Sequence, residues 1–345
     1  MKARIALFIP DIPKPVLMLH SEQGTAKSTL QELIKRVVDP SSIINLTFPR
    51  DINELIQQLS HNYIAYYDNV STIRDWVSGQ ICRAVTRSGF SKRELYSDDD
   101  DIIYNFKRCI GFNGINLAAT KADLLDRGII IQLERITKEK RRKIQNIITK
   151  LELPKPELLG YIFDIIVSVL RVVANGGIRL DSKSRMADFE EYAEIFSRCM
   201  GYEPGTFIRA YHENQKLQTE AVIEGSPVAV AIVKLMDDRQ DDLWRGTATE
   251  LMDELENLAS GLKINTMSNL WPKGAHVLNR RLNEIKTNLR DAGISIDHVK
   301  SPNGNTRIIE ICKIASEASE TTDLDQFESE FFGSLFGYSP ISKRS

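Results

Sequence analysis

The chain has 345 residues, 42% hydrophobic and 27% charged, with a formal net charge of −2. That length accommodates two or three domains with cores of their own, and the composition is that of an ordinary soluble globular protein. No apolar stretch approaches the roughly 20 residues that a bilayer span needs, and a net charge so near zero argues against wholesale coating of nucleic acid while hiding local asymmetry.

The first residues, broken by Pro10, Pro13 and Pro15, lack the cleavage site of a secretory leader. Cys82, Cys109, Cys199 and Cys312 stand far apart with no C-x-x-C pair, so reduced thiols in a cytoplasmic protein are expected. From residue 16 to 133 apolar runs alternate with helical patterns, the signature of a parallel sheet with crossover helices and hence of an α/β fold. Strands are expected at 16–19, 43–48, 63–67, 109–112 and 128–133, and helices at 28–38, 51–59, 70–86 and 117–126.

The first strand runs into HSEQGTAKSTL, His20 to Leu30. A buried strand, a glycine-bearing turn and a helix opening on Lys-Ser-Thr form the context of a phosphate-binding loop. Turn amides and the helix N-terminus offer donors to a polyphosphate. Glu22, Gln23, Gly24, Thr25 and Ala26, followed by Lys27, Ser28 and Thr29, are the candidate nucleotide contacts. Lys27 would reach the β- and γ-phosphates and Ser28 would sit on Mg²⁺. Against G-x-x-x-x-G-K-[ST], Ser21 and Ala26 replace both glycines.

The third strand ends at Asp68-Asn69. Asp68 is either a second holder of Mg²⁺ or a helix cap. Many proteins that this strand-loop-helix order resembles carry a glutamate base where Asn69 stands, and an amide cannot take a proton from water. The fourth strand leads into Asn113-Gly114, with Asn113 either orienting water at the γ-phosphate or marking a turn. Arg127, after Asp123-Leu124-Leu125-Asp126, is either a helix-end cation or an arginine finger for a neighbouring subunit.

The order SEQGTAKST, YYDN, FNGI and LLDRGIIIQL resembles an AAA+ ATPase of the helicase clade, over residues 16 to about 133. Gly-Thr-Ala-Lys-Ser is similar to the loop of minichromosome-maintenance helicases, and the whole chain resembles predicted primase-associated ATPases of phages, plasmids and integrated elements. The resemblance implies ATP and Mg²⁺ as cofactors, a sensor 1 at Asn113, a sensor 2 at Arg185 and a homo-oligomeric ring, a hexamer. It also implies a DNA-gripping hairpin between residues 88 and 104, as in superfamily 3 viral helicases. There Lys92 and Arg93 are candidate DNA contacts and Phe90 could stack on a base, although Asp98 to Asp101 would repel phosphate. The alternative for that segment is a solvated loop.

Residues 136–212 read as helical: a basic amphipathic helix at 136–151, an apolar and mostly buried helix at 158–173, and another from Arg185. By resemblance this is the lid. After Ser226-Pro227 come helices at 228–236 and 247–258, the latter with a Thr247/Glu250 capping box. A third helix, opened by Pro272 and stopped by Gly293, precedes two strands flanking Asn303-Gly304. That order describes a winged helix. From Trp271 to Lys313 there are eight Lys/Arg and four Asp/Glu, a local charge of +4. Lys273, Arg280, Arg281 and Lys286, with Lys300 and Arg307 on the wing, are the candidate DNA contacts, although winged helices also bind proteins. Residues 315–345, acidic with interleaved phenylalanines, are expected to be disordered.

The expected organisation is therefore an α/β AAA+ P-loop core (1–135), a helical lid (136–225), a winged helix (226–314) and a tail (315–345). The expected function is an ATP-driven DNA motor, a replicative helicase of a mobile element. The alternative is a nucleotide-gated initiator or loader with weak turnover, and a protein remodeller stands third. A primase or another replication protein is the expected partner, and a preceding primase module in a longer chain is compatible with the early first strand.

Overall fold

The computed structural model describes residues 7–86, 90–93, 101–104, 107–115, 121–180, 184–300 and 307–314, with 90–93 and 101–104 described as backbone. The chain divides into residues 1–314 and 315–345; the expectation for the tail falls outside the described residues. The first stretch runs β1 (Val16–His20), α1 (Lys27–Val38), α2 (Ile52–His61), β2 (Ile64–Tyr67) and α3 (Asp75–Thr86). A hairpin of β3 (Phe90–Arg93) and β4 (Asp101–Tyr104) follows, then β5 (Cys109–Gly114), α4 (Ala122–Leu125) and β6 (Gly128–Gln132). The molecule is mixed α/β: β1, β2, β5 and β6 make a parallel sheet in the order β2-β5-β1-β6.

Helices cover both faces of that sheet, so every residue of β2 and β5 is buried. One face packs Ile64, Tyr66 and Cys109 against Ile34 of α1. The other meets α2, α3 and α4 through Leu55, Leu59, Val77, Ile81 and Leu124. Gly111 pairs with Tyr66 across the sheet, and a Cβ there would stand 2.7 Å from the Tyr66 ring. The missing side chain is what lets that ring lie over β5.

Three expectations need correction here. The strand at 43–48 reduces to one parallel bridge, Leu46 to Tyr67, with Leu46 N donating to Tyr66 O at 2.7 Å. Phe48 instead anchors the segment by an edge contact to Tyr67 at 5.7 Å, and Pro49 cannot donate to a ladder. The helix expected from residue 70 begins at Asp75, because Val70 and Ile73 are buried from an irregular segment and so extend the apolar period without extending the helix. The helix expected at 117–126 is the single turn of α4, with 116–120 outside the described residues.

Beyond β6 the basic stretch divides into a 3-10 turn at Lys138–Lys140 and α5 (Ile144–Glu152), which buries none of its residues. α6 (Lys155–Ala174) is also less buried than expected. Ile162, Ile165, Val169 and Val172 face inward, whereas Tyr161, Phe163, Val167 and Leu170 are exposed. α7 (Ala187–Cys199) and α8 (Thr206–Gly225) follow. α8 lies along the outer edge of β6. Asn214 accepts from Ile130 N at 2.9 Å and donates to Ile130 O at 2.6 Å, and Gln218 donates to Gly128 O at 2.7 Å. Side-chain amides thus take the place of a further strand.

The C-terminal part comprises α9 (Pro227–Asp237), β7 (Leu243–Gly246), α10 (Ala248–Gly261), α11 (Ala275–Asp291), β8 (Ile294–Lys300) and β9 (Arg307–Lys313). Its antiparallel sheet has the order β7-β9-β8. One core, from Val228 to Ile311, holds these elements together. Ser226 caps α9, and the Thr247/Glu250 capping box opens α10. β7 escapes the sequence pattern because it is four residues long beside a run of aspartates. No helix among the described residues is long and apolar enough to cross a membrane.

Candidate functional site

The parallel sheet directs the carboxyl ends of β1, β2 and β5 to one edge, where open α/β sheets hold ligands. The loop 21–26 follows β1 there. It turns tightly because Gly24 takes φ 83° and Ala26 φ 61°, both left-handed, before α1 starts at Lys27. Ser21 and Thr25, both buried, lock the turn hydroxyl to hydroxyl at 2.5 Å. Lys27 Nζ curls over it and donates to Ser21 O at 2.7 Å and Glu22 O at 2.9 Å. An ammonium held only by neutral oxygens is poised for an anion. Burial, then the Lys27 ammonium, holds His20 below the ordinary histidine range, so His20 adds no second charge at neutral pH.

Asp68 and Asn69 leave β2 beside this loop. Ser28 Oγ donates to Asp68 Oδ1 at 3.1 Å. Asn69 adopts φ 53°, a conformation asparagine tolerates better than most residues, and its N–H donates to Asn113 Oδ1 at 2.9 Å. Asn113, buried at the end of β5, offers its Nδ2 to Gln31 Oε1 and, at 3.5 Å, to Ser28 Oγ. Its backbone O accepts from Val70 N at 2.8 Å. One amide therefore ties together β5, the end of β2 and α1. The result is a cavity of about 300 Å³ lined by residues 23–29, Asp68, Asn69, Asn113, Gly114 and Ile115.

Of the expected nucleotide contacts, Gln23 to Thr29 line this cavity, whereas Glu22 contributes its carbonyl and leaves its side chain exposed. Gln31 was missed. It is fully buried on the inward stripe of α1, and its Nε2 has no partner among the described groups.

Arg127 and Arg185 stand apart from the cavity. Arg127 O accepts from Val16 N, at the amino end of β1, which five residues of strand separate from the loop by about 16 Å. Its guanidinium pairs with Asp123 Oδ1. Arg185 reaches the same oxygen at 2.5 Å and lies 3.8 Å from Asp126. The catalytic residues assigned from sequence thus fall into two groups at opposite ends of the sheet.

The expected basic surface is distributed differently from the sequence assignment. Lys92 and Arg93 fall in β3, whose register places them opposite Ile102 and Asp101 of β4; their side chains are outside the described residues. On α11 the exposed residues are His276, Arg280, Asn283, Glu284, Thr287, Arg290 and Asp291. Arg281 and Lys286 flank them and are held by Glu284 at 2.9 Å and Asp297 at 2.9 Å. Arg280 lies 3.9 Å from the same Glu284, and Lys273 donates to Thr266 O. Lys300 and Arg307 are exposed and paired in register at the turn end of the β8-β9 hairpin. His276, Asn283 and Thr287 join the candidate surface only once the helix is seen packed.

Residues 3–214 match the family model of an actinomycete integrative conjugative element replication protein, and residues 228–323 match that of the AICE RepA C-terminal domain. No curated protein matches the chain. Among solved structures, the apo structure of NrS-1 C terminal region (305-718) aligns at 13% identity over 91% of this chain and 70% of that one, with a TM-score of 0.39. An A form apo structure of NrS-1 C terminal region-CTR aligns at the same identity and coverage with a TM-score of 0.35.

Proposed function

The chain belongs to the actinomycete integrative conjugative element replication proteins, a replication-associated protein of a mobile element, and from that premise we propose that it is an ATP-driven DNA motor of the element's replication. In this reading residues 1–135 are an AAA+ P-loop core, 136–225 its lid and 226–314 a winged helix. The observation that carries it is the Ser28–Asp68 hydrogen bond at 3.1 Å beneath the Lys27 ammonium. A hydroxyl at the start of α1 and a carboxylate at the end of β2 then share one position, as a phosphate-bound Mg²⁺ requires. Among the described residues no three His, Cys, Asp or Glu gather into a cage. Mg²⁺ fits Ser28 and Asp68 only together with phosphate oxygens, its usual manner of binding.

Loop amides and Lys27 would hold ATP, and the metal, when bound, would neutralise phosphate charge. Asn113 would position water through the amide that already orders Asn69. Arg127 and Arg185, remote from their own loop, would serve a neighbouring subunit's nucleotide in a ring. The solvent face of α11 would contact DNA, with affinity falling steeply as salt rises. Turnover of Mg-ATP with and without single-stranded DNA tests the proposal: DNA-stimulated hydrolysis lost in Lys27→Ala is the expected result, and hydrolysis indifferent to that substitution overturns it.

Asn69 favours a second reading, a nucleotide-gated initiator. Its amide takes no proton and its backbone is committed to Asn113. Tight Mg-ATP binding with negligible turnover is the result expected of that alternative.

A further inference from the structure

We propose that Arg141 is a nucleotide-binding residue, a second cation that the chain supplies to the polyphosphate on its own loop; the inference rests on the nucleotide reading above. The segment leaving β6 passes the loop at once, since Leu133 N donates to His20 O at 3.3 Å. It then turns through Lys138–Lys140 and brings Arg141 back. A Cβ built on Gly24 would stand 3.5 Å from Arg141 Nη2, so the guanidinium lies in van der Waals reach of the loop. Gly24, at φ 83°, puts no side chain between that guanidinium and the loop backbone.

The guanidinium is held by one end. Arg141 Nε donates to Ile136 O at 3.3 Å, and among the described residues no carboxylate pairs with it. Arg36, Arg127, Arg185 and Arg198, by contrast, each have a carboxylate partner. Arg142 and Lys143 follow immediately on the same exposed run but begin the path into α5. What distinguishes Arg141 is its place against the loop.

A guanidinium binds phosphate oxygens through a planar fork, where an ammonium acts as a point charge. With Lys27 at the start of α1 and Arg141 across the loop, a polyphosphate would meet two cations from one subunit. This is distinct from the role proposed for Arg127, which lies at the other end of the sheet from its own loop. Because α5 approaches α1 through Glu152, 3.8 Å from Arg36, anion capture by Arg141 would also fix the position of the 133–152 segment.

The test is calorimetric binding of Mg-ATP and Mg-ADP to the full chain, comparing wild type, Arg141→Ala, Arg141→Lys and Arg142→Ala. Arg141→Ala should weaken both ligands by about tenfold or more, the scale of one charge-assisted hydrogen bond lost, with Arg141→Lys regaining part of it. Arg142→Ala should stay within about twofold, and all variants should melt with the wild type when no nucleotide is present. Wild-type affinity in Arg141→Ala, or an equal loss in Arg142→Ala, overturns the inference and leaves the pocket reading standing. Failure of the wild type to bind either nucleotide removes the reading beneath it as well.

Discussion

Lys14 has no part in the cavity, yet its ammonium lies buried at the entry to β1, donating to Ile12 O at 2.7 Å and Pro10 O at 3.2 Å. Burial is the chief cause that lowers its pKa to about 8, and Lys107 adds to it against the opposing influence of Cys109 and Asp11. Between about 8 and the ordinary 10.5 the unfolded chain therefore binds more protons than the folded one. Stability conferred at this site rises with pH across that window, and the cost of burying the charge is felt in full below it. Cys109, pushed up to about 12 by burial, acts with the opposite sign above pH 9. The comparison must therefore be wild type against Lys14→Met. The difference in unfolding free energy should move toward wild type by up to about 3 kcal/mol from pH 7.5 to 10.5 in urea titrations. A difference flat with pH would show that the ammonium is not desolvated. At this scale the meeting of Lys27, Ser28 and Asp68 at one cavity was legible, because a strand end, a glycine-bearing turn and a helix start stand at fixed spacing. The places of Gln31 beside Asn113 and of Arg141 beside Gly24 were not, since only the packing of α1 and the return of the chain after β6 create them.

Elements were legible where one face meets one core. α1, α2 and the α9-α10-α11 helices follow their apolar stripes, and the capping box at Thr247 and Glu250 forms as its spacing dictates. The errors arise where burial and periodicity part company: at Val70 and Ile73, buried without a helix, and at Tyr161, Phe163, Val167 and Leu170, helical without burial. The edge of β6 is the third case. A strand paired on one side only exposes donors and acceptors that invite another chain, and here Asn214 and Gln218, one turn apart on α8, satisfy them. Neither residue is marked in the sequence, because an amide on a helix reads as solvent-facing. Asn214→Ala strands the N–H and C=O of Ile130 together and should cost about 2–3 kcal/mol. Gln218→Ala should cost about half as much, and the double variant less than the sum, because Gln218 Nε2 also lies 3.5 Å from Asn214 Oδ1. Denaturant titration of the three variants measures this. A loss below about 0.5 kcal/mol for Asn214→Ala would mean that water replaces the amide freely and that α8 is held by its apolar side alone.

At the scale of the molecule the decisive fact is the separation of Lys27 from Arg127. The loop lies at the carboxyl edge of the parallel sheet, and Arg127 with Arg185 lies at the amino edge, both bound to Asp123. In the proposed ring the two edges face each other across every interface, a heterologous contact that closes by rotation. Asp123 then holds the arginines until a neighbour's phosphates compete for them. This arrangement makes a demand that a self-contained site does not. Lys27→Ala and Arg127→Ala should each be inactive alone for different reasons, one lacking a loop cation and the other lacking a cation for its neighbour. Mixed in equal amounts, an Arg127→Ala loop beside a Lys27→Ala arginine rebuilds an intact site at about one interface in four, so turnover should return to about a quarter of wild type. Two subunits that each hold a complete site would stay inactive in any ratio. Steady-state hydrolysis across a titration of one variant into the other distinguishes the two cases. A curve that peaks at the equal mixture supports catalysis shared between subunits, whereas a curve that never rises confines the chemistry to one chain and leaves Arg127 and Arg185 as an ion-pair cluster fastening α4 to the start of α7.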